Sequence, residues 1–329
     1  MANFSGLNTL LDEIDKTVSD KIDDKISSEI PELKKLIKDA EKSIKENAPF
    51  KIEYDGKIHE VKGLRHKSLD NLIVMASQKI PVMLVGMAGT GKTHAAAQVA
   101  EALGLEHYTM SVGAQTSKSD IIGYMHASGG YVPTLFRKAY EEGGVFLMDE
   151  IDAGNANVLI QVNAALSNGF CAFPDKMVER HKDFVFIASA NTFGNGANRM
   201  YVGRNQLDAA TLDRFAVLVW DVDEKLEDKM AEAYGKTGKK WLKVVRELRK
   251  TIEEDGIRAL VTPRATIKGC SLLSAGLDFD TVLNAVIVEN LPNDKKSRFR
   301  DIAKDKWDGK SKKEKKRGLV FDESSFEMF

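Results

Sequence analysis

Between Pro81 and His94 the chain reads Pro-Val-Met-Leu-Val-Gly-Met-Ala-Gly-Thr-Gly-Lys-Thr-His. Gly86, Gly91, Lys92 and Thr93 fall at the G-x-x-x-x-G-K-S/T spacing, which is the spacing of a loop that cradles phosphates. Glycines let the backbone turn with its N–H groups aimed inward, so that an anion sits in a nest at the start of the following helix. Lys92 then reaches the β- and γ-phosphates of ATP as a point charge, and the Thr93 hydroxyl becomes a ligand for Mg2+. The residues expected to bind the nucleotide are Gly86, Met87, Ala88, Gly89, Thr90, Gly91, Lys92, Thr93 and His94, with Asp149 further along the chain.

Asp149 and Glu150 end the apolar run Val145-Phe-Leu-Met. A buried parallel strand would deliver both carboxylates to its C-terminal end, the edge where ligands bind in such sheets. There Asp149 would hold Mg2+ through water, and Glu150 would act as the catalytic base on the attacking water. Asp152 reads as a structural or switch residue. A second apolar run, Phe184 to Ala188, leads into Ser189-Ala190-Asn191. Asn191 at the tip of a neighbouring strand fits a hydrogen bond to the γ-phosphate or to the lytic water. His126 stands without a second metal-type residue at useful spacing and reads as a loop histidine.

The elements that must position these residues follow from periodicity. Val82 to Val85 reads as a strand, Thr93 to Leu103 as a helix and His107 to Val112 as a strand. Asp55-Gly56, Gly129-Gly130 and Pro174-Asp175 mark three hairpins. Lys67 to Gln78 is expected to be helical, with Leu72 and Ile73 more at home in the core than against a nucleobase. Four helical stretches follow the second half of the site: Glu224 to Tyr234, Lys239 to Asp255, Pro263 to Ala275 and Phe279 to Asn290. Pro263 suits a helix's first turn and puts Arg264 where it can point to bound phosphate. The expected fold class is α/β, a P-loop NTPase parallel sheet flanked by helices, with an N-terminal helical extension and a C-terminal helical lid domain. The expected divisions are residues 1–49, 50–222, 223–308 and a charged tail, 309–329.

Five motifs in order, Gly86 to Thr93, Asp149-Glu150, Asn191, Leu212-Asp-Arg214-Phe215 and Thr262-Pro-Arg264-Ala265, resemble those of the AAA+ ATPases. The resemblance covers roughly residues 64–273 and is greatest to the group containing MoxR-type ATPases, the ATPase subunits of magnesium and cobalt chelatases, and McrB. It implies that Asp149 and Glu150 are the Walker B pair, Asn191 sensor 1, Arg214 the arginine finger and Arg264 sensor 2. A guanidinium supplied by a neighbouring subunit stabilises the spread charge of a phosphoryl-transfer transition state by about 10³- to 10⁵-fold in rate. Arg199 and Arg204, in the Gly-rich stretch before Arg214, are rivals for that task. The plainer reading of Arg214 is a surface arginine paired with Asp208 or Asp213.

The resemblance further implies a homo-hexameric ring that remodels a protein client, with a von Willebrand A-type partner. A chelatase motor, a nucleic-acid-linked NTPase and a nucleotide-gated scaffold are the alternatives. Net charge does not favour nucleic acid: 48 Lys and Arg stand against 49 Asp and Glu. The two cysteines lack metal spacing and fit a reducing compartment, and no apolar run approaches membrane-spanning length, so a cytoplasmic protein without membrane contact is expected. An apolar stripe from Leu7 to Ile44, divided at Pro31, reads as two helices that seek a partner. Lys310 to Arg317 reads as a solvated basic tail, with docking onto a partner through Phe326 and Phe329 as the alternative.

Overall fold

The computed structural model describes residues 50–54, 56–61 and 63–309. The expected N-terminal helices and the basic tail lie outside the described residues. In chain order the α/β part comprises β1 (Phe50–Tyr54), β2 (Lys57–Val61), α1 (Leu69–Ser77), β3 (Val82–Val85), α2 (Lys92–Leu103), β4 (His107–Ser111) and α3 (Lys118–Ile122). It continues with β5 (Tyr124–Met125), β6 (Tyr131–Val132), α4 (Leu135–Glu142), β7 (Gly144–Asp149), α5 (Ala156–Asn168), β8 (Phe170–Ala172) and β9 (Met177–Glu179). It ends with β10 (Phe184–Ala190), α6 (Ala209–Leu212) and β11 (Ala216–Val219). Helices α7 (Glu224–Glu232), α8 (Gly235–Glu254), α9 (Pro263–Ser274), α10 (Phe279–Val286) and α11 (Asn293–Trp307) follow.

Five strands form one sheet in the order β11-β3-β10-β7-β4, and all four pairings are parallel. Strands β3, β7 and β10 are buried along nearly their whole length, which is why they read as unbroken apolar runs in the sequence. The order sets the site: β10 lies between β3 and β7, so Asn191 emerges between the phosphate loop and the Asp149-Glu150 pair. Beneath, Phe136 of α4 packs edge-on against Phe146 of β7 at 5.3 Å and against Phe184 of β10 at 6.1 Å.

The three expected hairpins form as β1–β2, β5–β6 and β8–β9. Arg137 on α4 ties the latter two together. Its guanidinium lies over the Tyr131 ring at 4.3 Å and the Phe173 ring at 4.9 Å, and it pairs with Glu141 and with Asp175 in the β8–β9 turn. Leu72 and Ile73 are fully buried in the core.

The C-terminal helices bury a separate apolar cluster that includes Trp241, Leu248, Val282, Leu283 and Phe299. Within it Glu227 is completely buried. It accepts from Arg249 at 2.7 and 3.1 Å and from the Thr266 hydroxyl at 2.6 Å, so α7, α8 and α9 share one ionic centre. Burial pushes the Glu227 carboxyl up, but these hydrogen bonds outweigh it and hold the group below its ordinary value. Helix α11 was not expected. Only Phe299 and Ala303 of its residues are buried, so its apolar signal is sparse. Among the described residues, no helix is long and apolar enough to cross a membrane.

Candidate functional site

Strand β3 runs straight into the phosphate loop, and two glycines there are required by geometry. A Cβ at Gly86 would lie 2.1 Å from the Trp220 carbonyl oxygen, and Gly91, which starts α2, has φ +92°. The loop is braced from the neighbouring strand end: the buried Trp220 indole N–H donates to the Thr90 carbonyl at 3.2 Å.

Lys92 is buried, and its Nζ donates to three acceptors: the Gly86 carbonyl at 2.6 Å, the Met87 carbonyl at 2.9 Å and Asn191 Oδ1 at 3.0 Å. Burial lowers its pKa to about 8 against the pull of the Asp149 and Asp152 carboxylates. Thr93 Oγ1 donates to Asp149 Oδ2 at 3.0 Å, and Ser189 Oγ donates to Asp149 Oδ1. A hydroxyl and a carboxylate side by side are hard oxygen donors of the kind Mg2+ takes, so Thr93 and Asp149 fit the ion and would hold it beside the phosphates. Among the described residues no group of three or more His, Cys, Asp or Glu forms a metal cage.

Glu150 follows Asp149 in a left-handed conformation, φ +60°, uncommon for a residue with a side chain. Its amide donates to Asp149 Oδ1 at 3.1 Å. Asp152 is fully buried and accepts from the Asn191 and Thr192 amides and the Thr192 hydroxyl. It is thus structural, fixing the turn from which Asn191 projects.

These residues face a cavity of about 630 Å³, lined among others by Ala88 to Ala95, Asp149, Glu150 and Asn191, and from the helical part by Leu226, Glu227, Met230, Pro263, Arg264 and Ile267. The volume suits a nucleotide-sized ligand. Arg264, in the first turn of α9, lies against the phosphate loop of its own chain: its Cγ and Cδ are 3.2 Å from where a Cβ on Gly89 would stand. Gly86 and Met87 do not line the cavity and contribute their carbonyls to Lys92 instead.

The cavity is also walled by Leu64, His66 and Trp220, residues that sequence reasoning did not single out. His66 stacks on Trp220 with ring centroids 4.0 Å apart. Its Nε2 donates to the Asp221 carbonyl at 2.8 Å and its Nδ1 accepts from the Ser68 amide at 3.1 Å, an arrangement that fits the neutral ring. Burial lowers its pKa, only partly offset by the Asp221 carbonyl and the Asp223 carboxylate. These residues are 154 positions apart in the chain, so no local pattern could have joined them.

Arg214 stands outside the cavity. Its Nε donates to Ser167 Oγ at 3.0 Å and its Nη1 to the Ala210 carbonyl, not to Asp208 or Asp213; Asp208 instead caps α6 at Thr211. Arg204 lies within its own chain's site, with Nη2 3.4 Å from Glu150 Oε1 and Nη1 3.3 Å from Asp152 Oδ1. His126 is exposed and bonds Ser128.

Residues 81–215 match the AAA domain (dynein-related subfamily). A Lon protease of Flavobacterium johnsoniae is 30% identical over 239 residues, which cover 64% of this chain and 28% of that protein. Protein NorQ of Paracoccus denitrificans is 25% identical over 240 residues, 69% of this chain and 87% of NorQ. The aerobic cobaltochelatase subunit CobS of a Sinorhizobium species is 29% identical over 148 residues, 42% of this chain and 45% of CobS. The chain therefore spans just over a quarter of the Lon protease and under half of CobS. Among solved structures, the RuvB Holliday junction branch migration motor of Thermotoga maritima is 14% identical, with 73% of this chain and 70% of that one covered at a TM-score of 0.43, a likeness too distant to carry an argument.

Proposed function

We propose that this chain, an AAA+ ATPase of the group that contains MoxR-type proteins and chelatase ATPase subunits, works as a ring oligomer, a homo-hexamer, in which each site is completed by the adjacent subunit and hydrolysis remodels a protein client. The observation that carries the reading is the division of the guanidinium groups. Arg264 lies over the phosphate loop of its own chain, whereas Arg214 stands clear of the cavity beside Ser167. A residue so placed can serve a nucleotide only across an interface.

In this reading Lys92 exchanges its carbonyl partners for the β- and γ-phosphates, and the amides at the start of α2 hold the β-phosphate. Thr93 and Asp149 would hold Mg2+, which when bound neutralises charge on the phosphate oxygens. Glu150 accepts the proton of the attacking water, Asn191 orients that water or the γ-phosphate, and Arg264 steadies the phosphates as the helical part closes. Base stacking falls to the wall formed by Leu64, His66 and Trp220. The client is a protein, and the resemblance to MoxR-type ATPases implies a von Willebrand A-type partner that presents it. Helices α7 to α11 and the two hairpins clamped by Arg137 are the parts that would carry motion to it.

Steady-state hydrolysis of ATP, with Glu150→Gln alongside, tests the assignment. The variant keeps ATP binding and loses about 10²- to 10⁴-fold in kcat, the usual contribution of a general base. Undiminished turnover overturns the base assignment, and stimulation of the native protein by DNA would favour a nucleic-acid translocase over a protein remodeller.

A further inference from the structure

Seven residues, 199–205, touch three functional parts of the molecule at once. Arg199 packs on Gly256 after α8, with Nη1 3.1 Å from where a Cβ there would stand. The Tyr201 hydroxyl accepts the Ala88 amide of the phosphate loop at 3.0 Å. Arg204 straddles Glu150 and Asp152. The turn is internally braced, because Asn198 Oδ1 accepts from the Met200 and Tyr201 amides, both at 2.9 Å. A second, mainly apolar cavity of about 340 Å³ separates Met87, Met200 and Tyr201 from Ile252, Ile257, Leu260 and Val261 of the helical part, which leaves room for movement.

We propose that residues 199–205 form a positioning strap that competes with the attacking water for Glu150 and that filling of the phosphate loop loosens without abolishing, with Tyr201 sensing the loop and Arg204 acting on the carboxylate. The inference rests on the reading of Glu150 as the base. Its physical link is a single peptide unit. The Met87 carbonyl accepts from Lys92 Nζ, and the N–H on the other side of that same peptide plane, Ala88, donates to Tyr201. When Lys92 turns to phosphate, the Met87 carbonyl loses a charged donor and keeps only the Thr90 hydroxyl at 2.9 Å. The peptide is then free to tilt, and Tyr201 tilts with it.

Arg204 follows because it belongs to the same short turn, with its guanidinium 5.9 Å from the Tyr201 ring centroid. Its two contacts with Glu150 engage both carboxylate oxygens, at 3.4 Å each. Oxygens turned toward a guanidinium are not free to take a proton from water. At these lengths the pair is weak, and releasing it does not strand the arginine, since buried Asp152 still accepts from it at 3.3 Å. Asp152 in turn has three other donors, so it survives loss of Arg204.

The test is steady-state ATP hydrolysis by the full chain carrying Arg204→Ala, Arg204→Lys, Tyr201→Phe or both Arg204→Ala and Tyr201→Phe, with Glu150→Gln as control. Freed from the residual hold of the strap in the filled site, Glu150 is expected to raise kcat about two- to fivefold in Arg204→Ala, the effect of losing one partly exposed ion pair, with KM unchanged. Tyr201→Phe, which keeps the ring and loses only the acceptor, moves kcat in the same direction. The double variant exceeds Arg204→Ala by nothing, and Arg204→Lys returns the rate toward native. A fall in kcat in Arg204→Ala, or native kinetics in Tyr201→Phe, overturns the strap. If Glu150→Gln is inactive while the strap variants leave kcat unmoved, the strap alone fails; if Glu150→Gln turns over normally, the base assignment beneath it fails.

Discussion

The lysine of the phosphate loop ties nucleotide affinity to pH in a calculable way. In the free site burial lowers the Lys92 pKa to about 8, well under the ordinary lysine value of about 10.4. A phosphate-bound Lys92 is charged, so binding above pH 8 must first return a proton to the amine. The sign follows. Near pH 7 Lys92 is already protonated and makes no demand on affinity; the apparent Kd then rises by a factor of about 1 + 10^(pH − 8), roughly twofold at pH 8 and elevenfold at pH 9. ATP has shed its last phosphate proton by then, its pKa being about 6, so the nucleotide does not contribute. Calorimetric titration near pH 8.5 in two buffers of different ionisation enthalpy reads the uptake directly, at about three-quarters of a proton per nucleotide bound. Lys92→Arg provides the control, because guanidinium stays protonated throughout and should remove the uptake. Proton-neutral binding by the native chain near pH 8.5, with constant affinity up to pH 9, would refute the idea that Lys92 is a desolvated amine waiting for phosphate.

Other expectations follow from the buried groups. His66 has a folded-state pKa below its unfolded value of about 6.5, so its contribution to stability is fully present above that value and is lost as pH falls beneath it. Thermal unfolding between pH 7.5 and 5.5 should show this loss, and His66→Phe should flatten it; an unchanged slope would exclude His66 as the source. Glu227→Gln removes the charge that Arg249 and Thr266 share inside the helical part and is expected to destabilise the fold by about 3 kcal/mol, seen as a lower denaturation midpoint. A midpoint equal to the native one would mean that the ion pair contributes no more than its neutral replacement.

What the sequence disclosed and what it hid differ by the range of the interaction. The phosphate loop, Asp149-Glu150 and Asn191 were legible because each sits at the end of a buried strand whose apolar run is local. The three hairpins were legible through their turn residues. The pocket wall of Leu64, His66 and Trp220 was not, since β11 must first pair with β3 to bring Trp220 beside the loop. Helix α11 escaped because its charged surface swamps a seam of few apolar residues. Arg204 was legible as a candidate guanidinium, but only the fold places it on its own chain's Glu150 instead of leaving it free for a neighbour's site.

The central claim is that a triphosphate held by one protomer is cleaved with the help of Arg214 from the next. The most direct measurement mixes two inactive proteins: Arg214→Ala, which keeps an intact phosphate loop, and Lys92→Ala, which keeps an intact Arg214. Random assembly of an equal mixture places a sound loop against a sound arginine at about a quarter of the interfaces of a closed ring, so turnover should reappear on mixing, up to about that share of the native rate. Mixtures as inactive as their components, or full activity of Arg214→Ala by itself, would contradict it.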